Sequence, residues 1–154
     1  PVIRVMPNTP TMVGAGMAAA SMGAGVTEAH KQFVLGFLAA TGKVIEVAEE
    51  LQDAVTATSG SGPAYFFAFV EAMVAGAKAL GLSEQDATTL TVQTIVGAAK
   101  LLDESGKSAT TLRENVTSPN GTTAAALASF GSSDLNSMVA KAMKAASDRS
   151  QELA

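Results

Sequence analysis

The chain has 154 residues, of which 47% are apolar and 16% charged, and its net charge is −4. With no block of Lys or Arg, a nucleic-acid interface has nothing to rest on. Cysteine is absent, which excludes disulfides and thiol chemistry, and the one histidine, His30, has no partner at zinc-site spacing, so no metal is expected.

So few charges are unusual for a small monomer, whose large surface must face water. They imply apolar surface reserved for a partner. The sequence opens at Pro1 in a strand-like run, with no initiator Met and no signal-peptide pattern. It reads as part of a longer cytoplasmic protein.

In chain order, Val2 to Met6 predicts a short strand closed by Pro7, and Gly16 to Met22 a second one between glycines. Thr27 to Thr41 has helical spacing, with Phe33, Val34, Phe37 and Leu38 on one stripe. Thr27 is its expected N-cap and Gly42 its C′ residue. Lys43 to Ala48 alternates as a strand. The result is a β-β-α-β run, the edge of a mixed sheet.

From Leu51 onward the pattern is helical throughout. Ser61-Gly62-Pro63 opens the most apolar stretch, Pro63 to Leu82, with Pro at an early helical position and Gly81 closing it. Glu71 and Lys78 inside that stretch argue against membrane insertion. Its many small residues (Ala64, Ala68, Ala72, Ala75, Gly76, Ala79) fit close packing on other helices. Ser83 predicts the cap of the next helix, with Asp86 as a short capping-box partner. That helix carries Leu90, Ile95, Leu101 and Leu102 and stops near Gly106. Ser108 caps a brief helix through Val116. A helix from about Thr122 to Phe130 follows, and Ser133 is the expected cap of the last one.

The most informative segment is Leu112-Arg-Glu-Asn-Val-Thr-Ser-Pro-Asn-Gly-Thr-Thr123. Pro119, Asn120 and Gly121 favour a tight turn that delivers the chain into a new helix. The amides near Gly121, Thr122 and Thr123 then lack helical partners, and with the helix dipole they suit a small anion. The hydroxyls of Ser118 and Thr123 add hydrogen-bonding capacity. On the residues alone, ordinary helix capping is the commoner use of such a segment.

Leu112 through Leu127 resembles the signature of pyrroline-5-carboxylate reductases, an Asn-Val-(Ser/Thr)-Ser-Pro-Gly-Gly-x-Thr loop entering a helix. Arg4-Val-Met-Pro-Asn-Thr-Pro10, Gly60-Ser-Gly-Pro-Ala-Tyr65 and Gly97-Ala-Ala-Lys100 agree, in the family order. One departure is Asn120, where the family usually has glycine; Asn also tolerates the left-handed region.

The resemblance implies the end of a Rossmann-like dinucleotide-binding domain over 1–50. A helical dimerisation and substrate domain over 51–154, like the C-terminal part of 6-phosphogluconate dehydrogenases, would follow, making the chain mainly α. It implies reduction of 1-pyrroline-5-carboxylate to L-proline by NADPH or NADH, the final step of proline biosynthesis, by an intertwined homodimer or a ring of dimers. Carried over residue by residue, Gly121 and the amides of Thr122 and Thr123 would hold the substrate carboxylate. The Thr123 hydroxyl would reach the ring nitrogen, and Ser118 would shape the loop. Glu49 would line the substrate site, Asn115 would face the cofactor across the dimer, and Met6-Pro7-Asn8 would end a strand at the nucleotide edge.

Hydride transfer to an imine needs a protonated nitrogen more than a strong base, so the absence of an acid–base dyad fits. Gly14-Ala-Gly16-Met-Ala-Ala19 and Gly23-Ala-Gly25 each lack the final glycine of a dinucleotide motif and its strand–glycine–helix setting, and both read as structural. Glu46, Glu49, Glu50 and Asp53 read as an acidic helix start, His30 as a surface residue, and Tyr65 with its neighbouring phenylalanines as core or dimer seam. Two alternatives stand beside this reading. A related reductase of the 6-phosphogluconate dehydrogenase plan would need a catalytic Lys, and Lys78 and Lys100 lie in ordinary helical settings. A non-catalytic helical dimerisation module would leave the Ser118–Thr123 loop without a ligand.

Overall fold

The computed structural model describes residues 1–153. The chain divides into two compact units, one of Pro1–Phe66 with the C-terminal segment from Ala140, the other of Phe67–Val139.

The first unit is built on a three-stranded mixed sheet in the order β1 (Ile3–Met6), β2 (Gly16–Met22), β3 (Gly42–Glu46). β1 pairs antiparallel with β2, placing Ile3 opposite Met22 and Met6 opposite Ala19. β2 pairs parallel with β3, from Gly16 opposite Gly42 to Ala20 opposite Glu46. The parallel pair requires a crossover, supplied by α1 (Glu28–Ala39). The central strand reads Gly-Met-Ala-Ala-Ala-Ser-Met, and its alanines are buried. Covered on both faces, it need not alternate apolar with polar.

Thr27 caps α1 as expected: its hydroxyl accepts the His30 N–H, while His30 Nδ1 accepts the Thr27 N–H. His30 therefore closes a capping box in a role usually filled by Glu or Gln. The helix ends earlier than its pattern suggests, with Ala40 as C-cap, and Gly42 starts β3 rather than serving as C′. The apolar stripe of α1 is only partly covered, since Phe33 and Phe37 stand 76% and 71% exposed.

After a single 3-10 turn at Glu49–Leu51 come α2 (Gln52–Val55) and a π turn, Thr56–Gly60, that sequence periodicity does not announce. Its wider i→i+5 register is seen in the Ser61 N–H, which donates to the Thr56 carbonyl at 2.8 Å. The Tyr65 hydroxyl donates to the carbonyl of buried Ala57 (3.1 Å), and Ser150 donates to Asp53 (2.6 Å), tying the C-terminal segment to α2.

The remaining elements are all helical: α3 (Gly62–Ala79), α4 (Glu84–Glu104), α5 (Ala109–Asn115), α6 (Thr122–Ser132) and α7 (Leu135–Glu152). α3 and α7 contribute residues to both units. Gly81, with φ of 100°, ends the turn after α3. Ser83 caps α4 by accepting the Asp86 N–H, and its hydroxyl donates to the Asp86 carboxylate (2.7 Å). Ser108 caps α5 through the Thr111 N–H.

Ser133 is not the cap of the last helix. It is the C-cap of α6, and Asp134, in the left-handed region (φ 53°), turns the chain straight into α7. Within the second unit the rings of Phe69 and Phe130 meet with centroids 6.3 Å apart. Among the described residues, the buried apolar side chains are all alanines: Ala18, Ala19, Ala20, Ala57 and Ala87. Phe66, Phe67, Leu90, Val96 and Leu101 all remain largely exposed. None of the helices described is long and apolar enough to cross a membrane.

Candidate functional site

In the second unit α5 ends at Asn115, and the Thr117 hydroxyl bonds back to the Arg113 carbonyl (2.6 Å). The chain then turns through Pro119 and Asn120, closed by the Gly121 N–H donating to the Ser118 carbonyl (3.0 Å). Asn120 takes φ of 59°, the left-handed value that asparagine bears better than other side chains. Gly121 is extended at the N-cap of α6 and has no side-chain capping bond. A Cβ there would press within 3.1 Å of the Ser118 carbonyl oxygen, so the turn is fitted to glycine.

The first backbone bond back to the cap is the Ala125 N–H to the Gly121 carbonyl. The amides of Thr122, Thr123 and Ala124 precede it and keep no protein partner among the described residues. Neither Ser118 nor Thr123 spends its hydroxyl as a cap. No side chain caps this helix start. The loop presents a set of unpaired donors at the positive end of a helix, flanked by two hydroxyls, which is what a small carboxylate needs.

A cavity of about 400 Å³ in the same unit is lined by Arg113, Leu127, Phe130 and Asp134, among others. None of Ser118–Thr123 lines it, so it is a separate feature.

The first unit places the other expected residues. Glu49 receives a 2.6 Å hydrogen-bonded ion pair from Arg4. Met6 ends β1 with its side chain against the backbone at Gly60. Pro7 is exposed. Asn8 uses both ends of its amide: Oδ1 accepts the Met17 N–H (2.9 Å), and Nδ2 reaches the Ser59 carbonyl and hydroxyl (3.3 Å each). Asn115 is exposed, and its carboxamide has no partner among the described residues.

The acidic residues near α2 do not converge. Glu46 pairs with Lys31, Glu49 with Arg4, and Asp53 with Ser150, and no metal-holding group of His, Asp or Glu forms among the described residues. Lys78 pairs with Glu84 (2.9 Å) and Lys100 with Glu104 (3.8 Å), both in the open. Neither lysine has the desolvated setting that would make it a catalytic base.

Sequence reasoning missed Gln52, which is 1% exposed. Its Nε2 donates to Ser21 Oγ (2.6 Å), while Oε1 has no partner. Nothing in an acidic, turn-like stretch marks that residue for burial.

Known proteins place this geometry first in a structural class. A Coxiella burnetii pyrroline-5-carboxylate reductase shares the fold with a TM-score of 0.95 and 40% identity, over 99% of this chain and 57% of that one. The Plasmodium falciparum pyrroline carboxylate reductase solved with NADP bound gives 0.91 and 32%, over 99% and 62%. A Haemophilus influenzae pyrroline-5-carboxylate reductase is 46% identical over 154 residues, which is 99% of this chain and 57% of that protein. Residues 49–153 match the family described as pyrroline-5-carboxylate reductase dimerisation. The chain belongs to the pyrroline-5-carboxylate reductase family. It spans little more than half the length of the curated relatives it matches.

Proposed function

We propose that this chain is the substrate-holding and self-associating part of an enzyme that reduces 1-pyrroline-5-carboxylate to L-proline with NADPH or NADH. The observation that carries the reading is the start of α6. Unpaired amides at Thr122 and Thr123, with the Ser118 and Thr123 hydroxyls uncommitted, match a substrate with a carboxylate beside a ring nitrogen. In this assignment Gly121 and the two amides hold the carboxylate, Ser118 shapes the loop, and the Thr123 hydroxyl orients the ring nitrogen.

When bound, NADPH or NADH would supply a hydride to the imine carbon that Gly121, Thr122 and Thr123 hold in place. The chain's own residues bind and orient, which is the larger part of catalysis when a cofactor carries the chemistry. The exposed carboxamide of Asn115 and the strand end at Met6-Pro7-Asn8 suit a partial cofactor contact. No strand–glycine–helix turn for the pyrophosphate occurs in the 154 residues. Glu49 is a further candidate for substrate contact in this assignment, with its charge balanced by Arg4.

We assign residues 1–50 to the nucleotide-binding domain and 51–154 to the helical domain. The working form is a cytoplasmic homodimer that interleaves its apolar helices, with rings of dimers as the higher assembly. Exposed Phe66, Phe67, Leu90, Val96 and Leu101 support that association. The deciding experiment is isothermal titration of the full-length protein with L-proline. Wild type should bind, and replacement of Thr122 by Pro, which removes one carboxylate-holding amide, should abolish binding. Equal binding by the two proteins overturns the site.

A further inference from the structure

The Thr56–Gly60 π turn is a rare backbone form that persists only where its surroundings over-determine it, and such turns concentrate at functional sites. Three separate side chains hold this one. Tyr65 bonds to the Ala57 carbonyl, Met6 packs against Gly60, and Asn8 reaches Ser59. Asn8 has a second attachment, because its Oδ1 accepts the Met17 N–H at the start of β2. One carboxamide thus joins the end of β1, the start of β2 and the π turn, with every bond inside a single compact unit.

We propose that Asn8 is a positioning residue: its side chain locks the main chain of Met6-Pro7-Asn8 and the π turn into the geometry that receives the dinucleotide, without touching the cofactor itself. This rests on the reading that the strand end meets NADPH or NADH. The chemistry supports the division of labour. The acceptor and the donor end of the amide are both engaged by protein, so a cofactor contact from the side chain would first have to break one of those bonds. The Asn8 carbonyl is itself engaged by the Thr11 N–H, so the contact would fall to the main chain just before it, at Met6-Pro7.

The test uses the full-length enzyme and two variants, Asn8→Ala and Asn8→Asp, followed by amide hydrogen exchange without ligand and by steady-state kinetics. Asn8→Ala should lose protection at both the Met17 and the Ser61 amides, and KM for NADPH should rise about fivefold, the factor a typical hydrogen bond is worth. The rise should come with kcat inside about twofold, because the missing interaction is one of binding. Asn8→Asp keeps an acceptor and loses the donor, so Met17 should stay protected while Ser61 does not.

A higher KM with both amides still protected in Asn8→Ala would mean direct cofactor contact and overturn the proposal. Lost protection with unchanged KM would reduce Asn8 to a structural clamp, which also overturns it. If Asn8→Ala does not fold, the unequal response of the two amides in Asn8→Asp decides. The exchange readout needs no turnover, so failure of the clamp is distinguishable from failure of the proposed reaction.

Discussion

Gly42 stands opposite Gly16 across the parallel β2–β3 pair, so close that a Cβ on Gly42 would collide with the Gly16 carbonyl oxygen. The obstacle is backbone, which cannot swing aside. Gly42 also has φ of 152°, a value side chains rarely adopt. Gly42→Ala should therefore destabilise the protein by roughly 1–3 kcal/mol, in the range of overpacking substitutions, read as a lower denaturation midpoint at unchanged m. Gly36 sits in α1 with open space around it, and Gly36→Ala should be neutral or stabilising.

Thr123→Val in the full-length enzyme keeps the side-chain shape and removes the hydroxyl. A lost hydrogen bond near charge is worth roughly 1.5–3 kcal/mol, so kcat/KM for pyrroline-5-carboxylate should fall on the order of tenfold or more. Gly121 rather than Thr123 is the N-cap of α6, so the thermal midpoint should barely move. A variant within about twofold of wild type in kcat/KM, less than that free energy permits, would leave Thr123 without a catalytic part.

At Asn120 the left-handed backbone sets the outcome. Asn120→Ala should cost about 1 kcal/mol, the penalty for an ordinary side chain there, while Asn120→Gly should fold as well as wild type. Thermal melts of the two variants side by side provide the check.

Two exposed ion pairs predict opposite pH responses. The Lys78 ammonium, hydrogen-bonded to Glu84 and attracting it, lowers the Glu84 carboxyl from its ordinary 4.5. Its contribution is therefore fully present above pH 4.5 and lost as pH falls through the depressed value. Lys31 is raised from 10.5, first by its hydrogen bond to Glu46 and then by that carboxylate's charge. That contribution is present below pH 10.5 and lost as pH rises through the raised value. Both pairs are open to solvent, so each effect is small. In urea titrations, Glu84→Gln should flatten the acid side of the stability profile, and Lys31→Met the alkaline side.

The 154-residue chain alone should not oxidise NADPH with pyrroline-5-carboxylate, because it contains no glycine turn for the pyrophosphate. Robust turnover, with full-length enzyme excluded by mass spectrometry, would refute this. The same preparation should unfold with a midpoint that rises with protein concentration, as expected when folding and association are inseparable.

What was legible in the sequence was mostly local. Thr27, Ser83 and Ser108 could be read as caps because each bond closes within three residues. β2 was found with its observed bounds from the glycines around it. Ser133 misled because a serine before an amphipathic run looks like a cap even when the preceding helix has not yet ended. The π turn and buried Gln52 were invisible because their causes, Asn8 and Ser21, lie 51 and 31 residues away in sequence. At the candidate site the motif was readable. That Gly121 caps α6 without any side-chain help, which frees the hydroxyls, required the backbone angles.

That the buried apolar side chains among the described residues are all alanines has a consequence for the life of the chain in a cell. Each buried methyl-sized group contributes only roughly 0.8 kcal/mol, while aromatic and branched side chains that would contribute more face outward on α1, α3 and α4. A newly made copy that has not met its neighbours displays the sort of surface that chaperones hold and proteases sample, and such triage sets abundance. The pool of this polypeptide would then follow the rate at which copies find one another, and substitutions on the outward faces would show first as shortened lifetime, before any change in the properties of assembled molecules.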